Sequence, residues 1–224
     1  MKRKVIVIAP HPDDETLGMG GTLLRHRAEG DDIYWLIITN ISTQQGFSSE
    51  RVNSRQAEIA QVAEAFGFTE TIKLDFPTMS LTDNDWQALI KAIVQVFLRI
   101  QPDTIYLPNR SDAHSDHRII FDATMACTKT FRYPFIQRIF MYETVSETDF
   151  APALPEKVFI ANYFVDITAF FAQKIAIMQI YASELAPPPF PRSIENISAW
   201  ATVRGAMAGV LHAEAFQIVK WIEK

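Results

Sequence analysis

Short apolar runs alternate along this chain with longer stretches of helical period. Residues 5–9 are a continuous, largely β-branched run, the pattern of a strand buried on both faces. Gly18, Gly20 and Gly21 then lead into an amphipathic segment, 22–27, that predicts a helix ending at Gly30. Residues 33–39 predict a second buried strand. Residues 55–66 place Ile59, Val62, Ala63 and Phe66 on one helical face, with Gly67 as the stop. Residues 71–76 alternate as a third strand. Asp83 or Asp85 can cap a long helix through Ile100, striped by Leu89, Ile93, Val96, Phe97 and Ile100. Residues 104–107 are a fourth strand.

Past Arg138 the pattern loosens. Residues 139–142 and 164–167 read as further strands, 169–185 as a helix, and about 194–209 as a final helix. Pro187, Pro188, Pro189 and Pro191 forbid regular structure and predict an exposed loop, placed here at the edge of a substrate mouth. Strands alternating with helices imply right-handed crossovers and a parallel sheet, the α/β class. No repeat and no Gly/Ser-rich linker divides the chain, so one domain over 1–224 is expected.

Composition narrows the field. The 224 residues are 48% hydrophobic and 21% charged, the balance of a soluble globular chain. A formal net charge of −5 gives no general reason to expect nucleic-acid binding, and Arg51 with Arg55 is too little for a basic patch. The single cysteine, Cys127, excludes an intrachain disulfide, and its apolar neighbours place it on a buried helix face. The first apolar run is far shorter than a signal-peptide core, and no stretch approaches the roughly 20 residues of a membrane span. The expected address is the cytoplasm, with no membrane partner.

The chemistry sits in two clusters. Pro10-His11-Pro12-Asp13-Asp14-Glu15 closes the first apolar run, and His114-Ser115-Asp116-His117 follows the fourth strand. A parallel sheet brings both to its carboxyl edge, where open α/β sheets bind ligands. His11 and Asp14 lie three apart on a turn stiffened by Pro12, and His114 and His117 are also three apart, so both rings can face one way. His26, between two arginines on the expected exterior of a helix, is the contrast. A catalytic zinc site takes three protein ligands and keeps a fourth position for water. The clusters offer two imidazole ligands, a carboxylate ligand and a second carboxylate as base. That points to metal-assisted hydrolysis. The blander alternatives are acids capping the next helix and a solvated polar loop, which Arg110, Asp112 and Ser115 would suit.

These motifs resemble the PIG-L/LmbE-like N-deacetylases, zinc-dependent hydrolases whose motifs read Ala/Pro-His-Pro-Asp-Asp-Glu and His-x-Asp-His. The likeness continues through the glycines of 18–21, Arg55 with Glu58 on one helix, residues 174–184, and Ala213-Glu214-Ala215-Phe216. It implies a Rossmann-like three-layer sandwich with a mostly parallel central sheet and an active site at the carboxyl edge of the strands. It also implies His11, Asp14 and His117 as ligands of Zn2+, although Fe2+ or another divalent ion suits the same donors. In that scheme Asp13 is the general base, a protonated His114 faces the oxyanion, Asp116 orients a histidine, and Arg55 touches the substrate. Two positions depart from the family pattern: Ser115 stands where Pro is usual, and His212 where many members have Tyr, which makes His212 a further candidate for substrate contact.

The implied reaction removes the N-acetyl group from an N-acetylglucosamine-type sugar or its conjugate, a small-molecule N-acetylated amino sugar. An amidase for a larger thiol-conjugate or antibiotic amide is the alternative, and a non-catalytic metal-holding sugar-binding protein a second. A homo-oligomer, trimer or hexamer, is the assembly implied.

Overall fold

β1 (Lys4–Ala9) lies at the heart of the sheet because Val5 through Ala9 are buried on both faces. β2 (Asp32–Asn40) and β4 (Thr104–Pro108) flank it, both parallel. β3 (Glu70–Pro77) pairs beyond β2 and β5 (Arg138–Tyr142) beyond β4, again parallel. β7 (Ala213–Trp221) runs antiparallel to β5, and β6 (Tyr163–Asp166) antiparallel to β7. The order across the sheet is β3-β2-β1-β4-β5-β7-β6. This computed structural model describes residues 2–223.

The two-residue period of the strands sorts alternate side chains into two cores. Val5, Val7, Trp35 and Ile37 pack under α1 (Asp14–Ala28), α2 (Ser49–Phe66), α5 (Phe171–Met178) and α6 (Ile194–Ala208). Ile6, Ile8, Leu36 and Ile38 pack under α3 (Trp86–Ile100) and α4 (Ser115–Ala126). The expected three-layer α/β sandwich results. Strand order reverses between β1 and β4, and such a switch point opens a crevice at the carboxyl ends of the two strands.

The departures from expectation have local causes. α1 begins at Asp14 rather than Thr22, and its glycines lie inside it. They permit close approach: a Cβ on Gly18 would overlap the Tyr142 ring, and one on Gly21 would sit 2.6 Å from Ile167. The helix kinks at Met19 (φ −151°), which frees the N–H groups of Gly21 and Thr22. Glu214 accepts both, at 2.9 and 2.7 Å, and pairs with Lys174 at 2.7 Å. His26 is not exterior: it is buried, bonded to Asp31 and to the Tyr106 hydroxyl. α2 starts at Ser49, where the Ser48 hydroxyl accepts from Arg51 N–H. The helix expected over 169–185 is shorter, ending at Met178 before a 3-10 turn at Ala182–Glu184. β7 was not expected at all. No helix among the described residues is long and apolar enough to cross a membrane.

Candidate active site

His11 and Asp14 leave the carboxyl end of β1, while His114 caps α4 and His117 sits in its first turn, just past β4. Because β1 and β4 are neighbours, the two clusters meet. His11 Nδ1 and His117 Nε2 each lie 3.3 Å from Asp14 Oδ2. The three candidate ligand atoms fall within 4.8 Å of one another. Asp14 Oδ2 also accepts the His11 backbone N–H at 2.8 Å, which closes the turn between them.

Each imidazole is held from behind by a carboxylate. His117 Nδ1 pairs with Asp112 Oδ2 at 2.8 Å, and His11 Nε2 with Asp116 Oδ2 at 3.2 Å. Once neutral, a ring that donates backwards in this way presents its other nitrogen as a lone pair, the form a metal ion needs. His117 Nε2 is buried with no hydrogen-bond partner among the described residues. Its near polar neighbour is Asp14 Oδ2 at 3.3 Å, and a cation held between these two and His11 would take up the nitrogen's lone pair once the ring is neutral. Two imidazoles and a carboxylate fit a catalytic divalent ion of the zinc type.

Burial opposes charge on both rings, but the carboxylates win. Asp116 and Asp14 hold His11 up to about 9, and Asp14 and Asp112 hold His117 up to about 10. Burial also works against ionised Asp14, yet His117 and His11 keep it well below the ordinary carboxylate range. Asp13 behaves differently. Burial pushes its carboxyl up to about 7, with the Arg192 guanidinium pulling the other way. Its backbone holds φ 138°, a region hostile to a side-chain-bearing residue and costing on the order of 1–3 kcal/mol. Bonds from the Asp13 N–H to Glu15 Oε2, and from Thr16 and Leu17 N–H to the Asp13 carbonyl, enforce it.

His114 Nδ1 accepts the Asp116 backbone N–H at 3.1 Å, so the ring carries its proton on Nε2. Burial and the neighbouring His11 and His117 push it down to about 4. In the metal-free protein this favours the neutral ring, with Nε2 as its donor. Asp116 further accepts N–H bonds from Met79 (2.8 Å) and Leu81 (3.3 Å), tying His11 to the loop after β3.

A pocket of about 290 Å³ opens over His11, Asp13 and His114, walled by Asn40, Phe47, Arg51, Arg55, Met79, Glu184 and Arg192. Arg55 lines it, but its donors are engaged: Nη1 with the Pro12 carbonyl at 3.0 Å, Nε with Glu58 at 3.2 Å, and Nη2 with Glu184. His212 is not brought there. It stacks flat on Phe171, ring centroids 3.9 Å apart, because it leads into β7, beyond β5 from the β1–β4 crevice.

Two residues escaped the sequence reading. Asp112, grouped there with a solvated loop, is fully buried, and its only sequence signal is lying five residues before His117. Arg192 lies 179 positions from the Asp13 carboxylate it pairs with, and only its place at the end of the proline-rich loop could have drawn notice.

A mostly parallel sheet with a switch-point crevice, a two-imidazole, one-carboxylate centre and an adjacent carboxylate has the layout of a metal-dependent hydrolase. Residues 6–128, just over half of the chain, match the family described as PIG-L, GlcNAc-PI de-N-acetylase, and the chain belongs to that family. It is 25% identical over 227 residues to a diacetylchitobiose deacetylase of Thermococcus kodakarensis, covering 98% of this chain and 84% of that one. Among solved structures it is similar to the conserved protein TT1542 of Thermus thermophilus, with a TM-score of 0.77 and 25% identity over 99% of this chain and 97% of that one. It is likewise similar to the inhibitor-bound N,N'-diacetylchitobiose deacetylase of Pyrococcus horikoshii, with a TM-score of 0.77 and 22% identity over 97% and 84% of the two chains.

Proposed function

We propose that the protein is a single-domain, metal-dependent hydrolase that removes the N-acetyl group from an N-acetylglucosamine-type sugar or its conjugate. The observation that carries this is the convergence of His11 Nδ1 and His117 Nε2 on Asp14 Oδ2, each at 3.3 Å, with the carboxylate of Asp13 on the same turn. His11, Asp14 and His117 would hold the ion, zinc in the first instance and Fe2+ as an alternative. A divalent ion so held lowers the pKa of a water from 15.7 to roughly 7 and polarises an amide carbonyl.

Asp13 takes the proton of the attacking water and passes it to the leaving amine. His114 donates from Nε2 toward the amide oxygen as charge develops there; loss of one such donor typically costs about 10² to 10³ in rate. Asp116 and Asp112 keep His11 and His117 in register. Arg55 faces the substrate from a guanidinium that Pro12, Glu58 and Glu184 already hold in place. A pocket near 300 Å³ is at the small end of ligand sites, which suits one sugar ring. Likeness to a diacetylchitobiose deacetylase over nearly the whole chain supports the substrate class. A cytoplasmic location and a trimeric or hexameric assembly belong to the same proposal.

Two variants separate binding from chemistry. Asp13→Asn should keep about one metal equivalent and lose about 10² to 10⁴ in activity, the usual contribution of a general base. His117→Ala should lose the metal. Metal loss in Asp13→Asn in proportion to activity would make Asp13 a ligand and contradict the assignment.

A further inference from the structure

Arg192 reaches the crevice from a distant part of the chain. It follows the proline-rich loop and precedes Ser193, the cap of α6. The end of that loop is pinned to α6: Asn196 Nδ2 donates to the Pro191 carbonyl at 2.6 Å, and the Ser193 hydroxyl accepts Asn196 N–H at 3.1 Å. The guanidinium engages four side chains from three other segments. Nη1 donates to Asp13 Oδ2 at 2.9 Å and to Glu184 Oε2 at 3.2 Å, Nε to Ser146 Oγ at 2.7 Å, and Nη2 to Glu147 Oε1 at 3.3 Å. A planar fork held at so many points has one orientation available.

Asp13 needs such a support. Its backbone conformation is unfavourable, and its carboxyl is buried, where an unpaired charge is costly. Oδ2 is taken by Arg192, while Oδ1 accepts no hydrogen bond from the described residues. We propose that Arg192 is the positioning residue of Asp13, fixing Oδ2 so that Oδ1 is the oxygen left to accept a proton. The inference rests on Asp13 being the base in the reading above. It gives the proline-rich loop and α6 a part in the reaction although neither touches the reacting atoms.

The test compares wild type, Arg192→Gln, Asp13→Asn and the double variant. Arg192→Gln should lower kcat by about 10- to 100-fold, the usual effect of losing a supporting partner, with KM and metal content almost unchanged. In the Asp13→Asn background the same change should cost nothing further, and Arg192→Lys should restore part of the rate. Melting of the four metal-free proteins should be non-additive, because either single change already removes the whole Arg192–Asp13 interaction. Should Arg192→Gln fail to fold, Arg192→Lys carries the kinetic comparison. An unchanged kcat, or a KM increase that persists without the Asp13 carboxylate, overturns the role. Additive melting shifts in an active enzyme also overturn it, and leave the hydrolase reading standing. A wild type inactive on every N-acetylated sugar defeats that reading, and this role with it.

Discussion

In the metal-free protein His11 is held up to about 9 and His117 up to about 10, so both rings are charged at neutral pH. A divalent ion binds only the neutral rings and must displace both protons. Affinity should therefore rise roughly 100-fold per pH unit while two protons are released, and flatten above about 10. Calorimetric titration with Zn2+ at pH 7, in buffers of different ionisation enthalpy, should report about two protons released per ion. No proton release would contradict the raised values of the two rings, and zinc binding left intact in His117→Ala would contradict the ligand assignment. The same pairs affect stability with a defined sign. Both folded values lie above the 6.5 of an ordinary histidine, so the stabilisation is complete below 6.5 and lost as pH rises through about 9 to 10. Metal-free protein should melt lower at pH 10 than at pH 7, and His117→Gln should shrink the difference.

α1 shows how an element can be shaped for a site at its own beginning. Its first residue, Asp14, is a candidate ligand, and its kink at Met19 is held by Glu214 and by Lys174, whose Nζ also donates to the Leu17 carbonyl at 2.9 Å. Removing one partner of a buried pair leaves a charge alone and costs on the order of 3–5 kcal/mol. Lys174→Met should thus lower the melting temperature by on the order of 10 °C. A change of a degree or two would show that the pair does little for the helix. Strands β1, β2, β4 and β5 were legible because burial on both faces writes nearly continuous apolar runs, and the edge strand β3 by its alternation. The start of α1 was not, since glycines at 18, 20 and 21 read as loop until Tyr142 and Ile167 are seen against two of them. The early end of α5 was equally hidden. The turn after it lets the Tyr181 hydroxyl reach Glu15 at 3.0 Å, and lets Glu184 meet both Arg55 and Arg192.

Across the whole molecule, the switch point between β1 and β4 turns two motifs a hundred residues apart into one centre. Ligand types and spacing announced that much. Asp112 and Arg192 stayed silent because their roles exist only where segments meet: α4 with the loop after β4, and the proline-rich loop with the turn after β1. His212 shows the converse, a position that drew attention in sequence and lies beyond β5, clear of the pocket. The most direct measurement is of both products, by mass spectrometry, after incubating zinc-loaded protein with N-acetylglucosamine conjugates. Acetate and free amine should appear in equal amounts, cease on chelation, return with metal, and fall sharply in Asp13→Asn. Amine without acetate, or no turnover of any N-acetylated sugar by the metal-loaded protein, would contradict deacetylation at this site.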